Sequence, residues 1–403
     1  MSAAAMVLGA TADSGVGGVK FRNIAHRPMK LYWVSHAGKP DYAGRVHGDG
    51  KTTGFQTYAG HKFFWAEDDA NPPVPTTAPG AKNVEFAIEA DKRVYFFEDD
   101  STLPEVKEAL DTELTWMREY KERTGIEWVG TAWPRPPPTF DMWQPKEVGQ
   151  RIFVPLEEQP QAGQYHCDYT DGNISDCLAQ DGRHLKGEYA YQAPLEGLTI
   201  EVVSIKPKAF RIVDFLSDFE TDYIINQAAP RLGRSTVGHG EDARDSGTRT
   251  SKSAWLHRGH SEVLEAIYTR VGLVTRVPDA AMAEENVESL NVLNYPTGAE
   301  YTPHYDWGAD GKVSSRFISS LLYLNTPEGG GSTSFPKAVM PDGSVGTEIP
   351  AIKKSLAFFY DLLEDGNADE LSLHAGTPVT AGEKWIAPLW IWEPIKNRFP
   401  NKG

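Results

Sequence analysis

From Val19 to about Asp99 the apolar residues fall in short β-rich runs separated by turn formers. Lys30–Ser35, Gly54–Tyr58, Phe63–Glu67, Val84–Glu89 and Arg93–Phe97 each read as a β-strand. Strands this short, with no helical stretch between them, predict a small β-sandwich over residues 19–99. The pattern then changes. Val106, Leu110, Leu114, Met117 and Tyr120 recur at helical spacing. Thr102 with Glu105 reads as a capping box, Pro104 suits a first turn, and Gly125 is a natural stop. Residues out to 199 form a connector that is proline-rich at Trp133–Pro138 and otherwise without period.

A second helix is signalled at Ser217, with Glu220 closing its capping box and Tyr223, Ile224 and Ala228 as its apolar stripe. A third spans Ser261–Val271. Strand patterns resume at Ser289–Tyr295, Arg316–Asn325, Lys354–Tyr360 and Lys384–Trp392. Helices followed by many strands predict a double-stranded β-helix, or jelly roll, over residues 200–396. The expected fold is therefore mainly β with flanking helices. Residues 1–18 are expected to be disordered, and 397–403 form a tail.

Composition narrows the functional classes. Hydrophobic residues at 40% and charged residues at 24% are ordinary for a globular protein. A formal net charge of -16 disfavours a nucleic-acid partner. No apolar run reaches the length of a membrane span. The apolar stretch Ala3–Leu8 lacks a preceding basic region, so no signal peptide is expected. A cytoplasmic or nuclear location follows as the expectation, with the endoplasmic reticulum as the alternative. The two cysteines, Cys167 and Cys177, exclude a disulfide scaffold and leave their pairing open. Oligomeric state is not readable.

The chemistry concentrates in Tyr295-Pro-Thr-Gly-Ala-Glu-Tyr301-Thr-Pro-His304-Tyr-Asp306. Residues two apart on a strand share a face, so His304 and Asp306 can grip one metal together. His374, in Ser372-Leu-His-Ala-Gly-Thr-Pro378, is the candidate third ligand. Two imidazoles and one carboxylate make the facial triad of non-haem Fe(II) oxygenases, which leaves three positions for a 2-oxoacid and O2. His166-Cys167-Asp168 and His239/Glu241 offer similar spacings without the strand context or a distal histidine. Ten residues after His374 comes Lys384, which suits the far carboxylate of 2-oxoglutarate because a buried lysine needs an anion.

From about Glu201 to Glu393 the chain resembles the prolyl 4-hydroxylase family. The residues that carry this are Phe215–Glu220, Arg249-Thr-Ser251, Tyr295–Asp306, Arg316 with Leu321–Asn325, Gly330–Pro336 and Ser372–Trp390. The resemblance implies that His304, Asp306 and His374 hold Fe(II). It also implies that Lys384 holds 2-oxoglutarate, aided by Tyr295, Tyr323 or Ser319, with ascorbate as reductant. The implied reaction is 4-hydroxylation of proline in a proline-containing polypeptide, coupled to conversion of 2-oxoglutarate to succinate and CO2. Trp390 and Arg316 match as well, with either a catalytic or a structural part.

The front segment resembles the β-domain of the von Hippel–Lindau tumour suppressor through Phe21-Arg-Asn23, Leu31-Tyr-Trp33, Gly38-Lys-Pro40, Tyr42 and Thr57–Phe63. That resemblance implies a hydroxyproline-binding pocket of Trp33, Tyr42, Thr57, Tyr58, His61 and Phe63. Thr57 stands where that family has serine, and Phe63 where it has tryptophan. Two other functions remain open at this point: an Fe(II)/2-oxoglutarate oxygenase acting on something other than proline, and a non-catalytic peptide-binding protein.

Overall fold

The computed structural model describes all residues except 1–14, 36, 69–74, 77–82, 130–136, 157–172, 187–196, 235, 238–243, 246–250, 284–285, 308–314 and 395–403. His166, Cys167, Asp168, His239, Glu241 and the expected tail lie outside the described residues. The chain divides into two compact units. One comprises residues 1–136 with 307–315 and 365–368, and the other comprises the rest.

The first unit has strands β1 (Gly15–Asn23), β2 (Met29–Val34), β3 (Pro40–Val46), β4 (Lys51–Tyr58), β5 (Lys62–Glu67), β6 (Phe86–Ala87) and β7 (Val94–Phe97), then helix α1 (Pro104–Thr124). They form two sheets, β4-β1-β7 and β3-β2-β5-β6. Alternate residues of each sheet meet in an aromatic core that includes Phe21, Trp33, Phe63, Trp65, Tyr95 and Phe97. Three expectations need correction. β1 starts at Gly15, inside the segment expected to be disordered, because its ladder with β4 runs from Gly15 to Asn23, with β7 joining the other side only from Lys20. The run Val84–Glu89 shortens to Phe86–Ala87. Helix α1 is capped at Leu103 without a side-chain bond, since the Thr102 hydroxyl instead accepts from the Asp99 amide at 3.2 Å. Its end at Gly125 is left-handed, as expected (φ 71°). Glu113 on α1 is 1% exposed and forms ion pairs with Lys20 and Arg22 of β1.

The second unit contains β8 (Arg151–Pro155), β9 (Gly197–Ser204), β10 (Ala209–Ile212), α2 (Asp218–Ala228), β11 (Gly233–Arg234), β12 (Thr236–Val237), β13 (Arg244–Asp245), β14 (Lys252–Leu256) and α3 (Glu262–Thr275). Then follow β15 (Leu290–Tyr295), β16 (Tyr301–His304), β17 (Arg316–Tyr323), β18 (Gly329–Gly330), β19 (Thr333–Val339), β20 (Val345–Ile349), β21 (Leu356–Tyr360), β22 (His374–Gly376), β23 (Val379–Ala381) and β24 (Lys384–Trp392). A nine-stranded sheet runs β11-β14-β15-β24-β17-β21-β10-β9-β8, and a four-stranded sheet runs β16-β22-β19-β20. Together they are the jelly roll. Leu293, Tyr295, Leu321 and Ile386 of the large sheet and Phe335 and Ala338 of the small one share a core cluster.

Helices α2 and α3 brace this unit through one carboxylate. Glu220 closes the α2 capping box by accepting from the Ser217 amide at 2.8 Å, and its other oxygen accepts from Arg270 of α3 at 2.7 Å. Such a cap contributes about 1 kcal/mol. The buried ion pair mainly makes loss of either partner costly.

Candidate active site

The antiparallel pairing of β16 with β22, distant in the chain, assembles the metal-binding corner. His304 at the end of β16 is the direct cross-strand partner of His374 at the start of β22, with ring centroids 4.3 Å apart. Asp306 lies two residues beyond the end of β16 rather than on it, a correction to the expected strand pair. The tautomers follow from the backbone. Nδ1 of His304 lies 2.8 Å from the Thr302 carbonyl, and Nδ1 of His374 lies 3.0 Å from the Ser372 carbonyl. A carbonyl only accepts, so each Nδ1 donates, which in the neutral ring makes Nε2 the nitrogen with the lone pair. Those Nε2 atoms sit 3.7 Å and 3.5 Å from the two Asp306 oxygens. All three donor atoms fall within 4.8 Å of one another. Two imidazoles and one carboxylate at this spacing fit a small divalent cation with ligand bonds of about 2 Å.

Asp306 is held from outside the triad. Its Oδ2 accepts from Trp390 Nε1 and from Ser319 Oγ, each at 2.7 Å, and Arg316 approaches Oδ1 at 3.6 Å. Burial opposes its ionisation, but His374, Arg316, His304 and the Trp390 bond outweigh it and hold the carboxyl below its usual range. Arg316 is itself fixed by a two-point bond to Glu288 (2.7 and 3.0 Å) and by stacking 3.8 Å over the Trp390 ring. Tyr301 stacks on His304 at 3.6 Å, and Phe359 packs against His374 at 4.7 Å.

Lys384 lines the same cavity as the triad, together with Tyr295, Thr333, Thr377 and Trp390. It is 3% exposed and, among the described residues, has no counter-ion. Desolvation alone brings its pKa down to about 7. Tyr295 is its register partner on β15, and the ring centroids of Tyr295 and Tyr323 lie 5.9 and 5.6 Å from its ammonium. The Tyr323 hydroxyl donates to Thr333 at 2.8 Å. Gly331, at φ +74°, lets the chain pass close by, since a methyl there would meet Lys384 Cδ at 3.2 Å. A buried lysine with no counter-ion among the described residues, beside a metal-ligand corner, fits a chelating 2-oxoacid with a distal carboxylate.

Ser319 is a correction. It pairs with Trp390 across β17 and β24, four residues from Tyr323, so its hydroxyl serves Asp306 at the metal end and not the Lys384 end. The sequence reading also missed Asp361, whose Oδ2 lies 2.8 Å from the same hydroxyl. Its only local signal is an acid placed directly after the apolar run Leu356–Tyr360.

The six residues proposed for the front pocket do not converge. Thr57 Oγ1 lies 3.0 Å from His61 Nδ1, and the rings of Trp33 and Tyr58 lie 6.0 and 5.2 Å from the imidazole. Phe63 faces the core, 4.8 Å from Phe21. Tyr42 is on the opposite face of its sheet, paired with Tyr32 at 5.6 Å, because a bulge between Leu31 and Tyr32 shifts the register.

The profile of the 2OG-Fe(II) oxygenase superfamily matches residues 290–392, a stretch that runs from β15 to β24 and contains the whole triad. Prolyl 4-hydroxylase 5 of Arabidopsis thaliana is 34% identical over 210 residues, covering 48% of this chain and 70% of that protein. The chain belongs to the prolyl 4-hydroxylase family. Prolyl 4-hydroxylase subunit alpha-1 of Gallus gallus is 31% identical over 237 residues, 56% of this chain and 41% of that one. Among solved structures, the viral collagen prolyl hydroxylase of Paramecium Bursaria Chlorella virus-1 in its 2OG complex aligns at 29% identity. The alignment covers 46% of this chain and 96% of that chain, with a TM-score of 0.35. In this family member, Fe(II), 2-oxoglutarate and O2 are the cofactors, and His304, Asp306 and His374 form a cluster that could hold the metal.

Proposed function

We propose that the chain hydroxylates proline at carbon 4 in a peptide, with His304, Asp306 and His374 as iron ligands and Lys384 as the anchor for 2-oxoglutarate. One observation carries this reading: two imidazoles and a carboxylate converge in the same cavity as a buried lysine that has no counter-ion among the described residues. Bound Fe(II) supplies dioxygen activation, so that one oxygen atom enters a proline C–H bond while 2-oxoglutarate becomes succinate and CO2. The protein fixes the geometry. Ser319, Trp390 and Arg316 orient Asp306, two backbone carbonyls set the imidazole tautomers, and apolar walls from Leu293, Leu321, Val379 and Ile386 exclude water.

The substrate is a peptide, and a proline-rich sequence is the proposed preference. The front unit is proposed to hold such a peptide at Trp33, Thr57, Tyr58 and His61, where an aromatic wall meets a hydroxyl–imidazole pair. Capture there would raise the effective concentration of substrate for the other unit. The decisive experiment incubates a panel of proline-rich peptides with the full chain, Fe(II), 2-oxoglutarate, ascorbate and air. Mass spectrometry should find one added oxygen on proline, matched by succinate and lost in His374→Ala. Succinate without any oxidised proline would retire the proline assignment and keep the oxygenase.

A further inference from the structure

Asp361 lies behind the metal corner, just past β21, and touches neither the cavity nor the triad. It is 0% exposed. Its Oδ2 is 2.8 Å from Ser319 Oγ, and that same oxygen is 2.7 Å from Asp306 Oδ2. A serine hydroxyl has one hydrogen, so it cannot donate to two carboxylates at once. The second short contact needs another proton, carried by one of the two acids.

The surroundings decide which acid carries it. Asp306 accepts from the Trp390 N–H at 2.7 Å and has the Arg316 guanidinium 3.6 Å from its other oxygen, a donor and a cation that suit an anion. The other oxygen of Asp361, Oδ1, is buried and has no hydrogen-bond partner among the described residues. Around Asp361 stand Asp306 and Asp369, two further acids, and Arg316, whose guanidinium is already bonded to Glu288. An anion with one oxygen unsolvated and acids on two sides is the expensive arrangement, and a neutral carboxyl is the cheap one.

We propose that Asp361 is a positioning residue, a neutral carboxylic acid whose O–H donates to Ser319 so that the Ser319 hydroxyl points its single hydrogen at the metal-binding carboxylate of Asp306. The chain Asp361 → Ser319 → Asp306, with Trp390 donating to the same Oδ2, locks one Asp306 oxygen and fixes the rotation of the carboxylate presented to the metal. It also keeps a second negative charge out of the corner.

This inference rests on the metal-site reading above, and it is tested first without metal. In the metal-free full chain, infrared spectroscopy should show the C=O stretch of a protonated carboxyl that disappears in Asp361→Asn; no such band at neutral pH would overturn the proposal. Mn(II) titrations then separate the roles. Asparagine keeps an N–H donor without charge, so Asp361→Asn should hold the Mn(II) Kd within about threefold of wild type. Asp361→Leu and Ser319→Ala should each weaken it about 10- to 100-fold, the usual effect of removing a partner of a metal ligand. The double variant should be little worse than either alone. Weakening of Asp361→Asn to the level of Asp361→Leu would show that charge is what matters, and wild-type binding in Ser319→Ala would show that the relay does not act on the metal; either overturns the proposal. If the leucine variant fails to fold, the asparagine and Ser319→Ala titrations still decide. A protein that shows the band but forms no succinate would instead count against the oxygenase reading.

Discussion

Replacing Lys384 with methionine, which keeps the volume and removes the charge, tests the co-substrate anchor most directly. The lysine is 3% exposed, and desolvation alone brings its pKa down to about 7 from the ordinary 10.5. Between those values the unfolded chain binds a proton that the folded, co-substrate-free protein does not. Stability of that form should therefore rise with pH from about 7 to about 10.5, and Lys384→Met should flatten the rise. Binding of 2-oxoglutarate reverses the balance, because its distal carboxylate restores the ammonium. About half of the free protein carries the proton at pH 7 and about one molecule in a hundred at pH 9, so affinity should fall about 50-fold over that range, with proton uptake nearing one per ligand. Leaving a carboxylate without its buried partner costs about 2–5 kcal/mol, or roughly 30- to 5000-fold in Kd for Lys384→Met. The assay is calorimetric titration of 2-oxoglutarate into the Mn(II)-loaded protein, in two buffers of different ionisation enthalpy. A wild-type Kd that is flat from pH 7 to 9 without proton uptake, or a Lys384→Met Kd within twofold of wild type, would refute the reasoning.

Trp390→Phe removes the Nε1–H that reaches Asp306 at 2.7 Å but keeps a ring under Arg316. A hydrogen bond to a charged group contributes about 1.5–3 kcal/mol, so Mn(II) affinity should fall by roughly 10- to 150-fold, and an unchanged Kd counts against the orienting role. Arg270→Met strands the buried Glu220 carboxylate and should cost about 3–5 kcal/mol in chemical denaturation, against less than 1 kcal/mol if the pair is idle. In the front unit, Thr57→Val removes the hydroxyl bonded to His61, and should abolish any preference for hydroxyproline over proline peptides in a binding titration of the full chain. Equal binding of both peptides by the wild type would remove the reader role. Cys177 is buried and disulfide-bonded, so it should resist alkylation until reductant is added, which peptide mapping checks.

The sequence revealed what depends on residues near one another in the chain. Strand β24 matches its apolar run from Lys384 to Trp392, and α2 begins at the Ser217 capping box because both partners lie within one turn. The expected capping box at Thr102 failed because a competing local bond to the Asp99 amide took the hydroxyl. β3 was not seen because Pro40, Asp41 and Gly44 read as turn residues, although pairing with β2 makes the segment a strand. The site divides in the same way. His304, Asp306, His374 and Lys384 were legible from spacing. The roles of Ser319 and Asp361, and the split of Tyr42 from Trp33, were not, because each depends on which residue faces which across a ladder, and one bulge changes that answer.

Register also explains why one strand can serve both ends of the cavity. Lys384 and Trp390 are six residues apart on β24, so they share the interior face while standing about 20 Å apart along the strand. Trp390 fixes Asp306 at one end, and Tyr295 and Tyr323 enclose the ammonium at the other. β17 repeats the division on the neighbouring strand, with Ser319 beside Trp390 and Tyr323 beside Ile386. A slip of one residue between β17 and β24 would turn Ser319 and Tyr323 away from the cavity together, and Asp306 would lose the hydroxyl that holds it. The apolar residues between them, Leu321 on β17 and Ile386 on β24, are 5% exposed and pack against Leu293 and Phe335. The same side chains that stabilise the barrel therefore set the register that aligns the two ends, so metal geometry and co-substrate anchoring depend on core packing as much as on the ligands themselves.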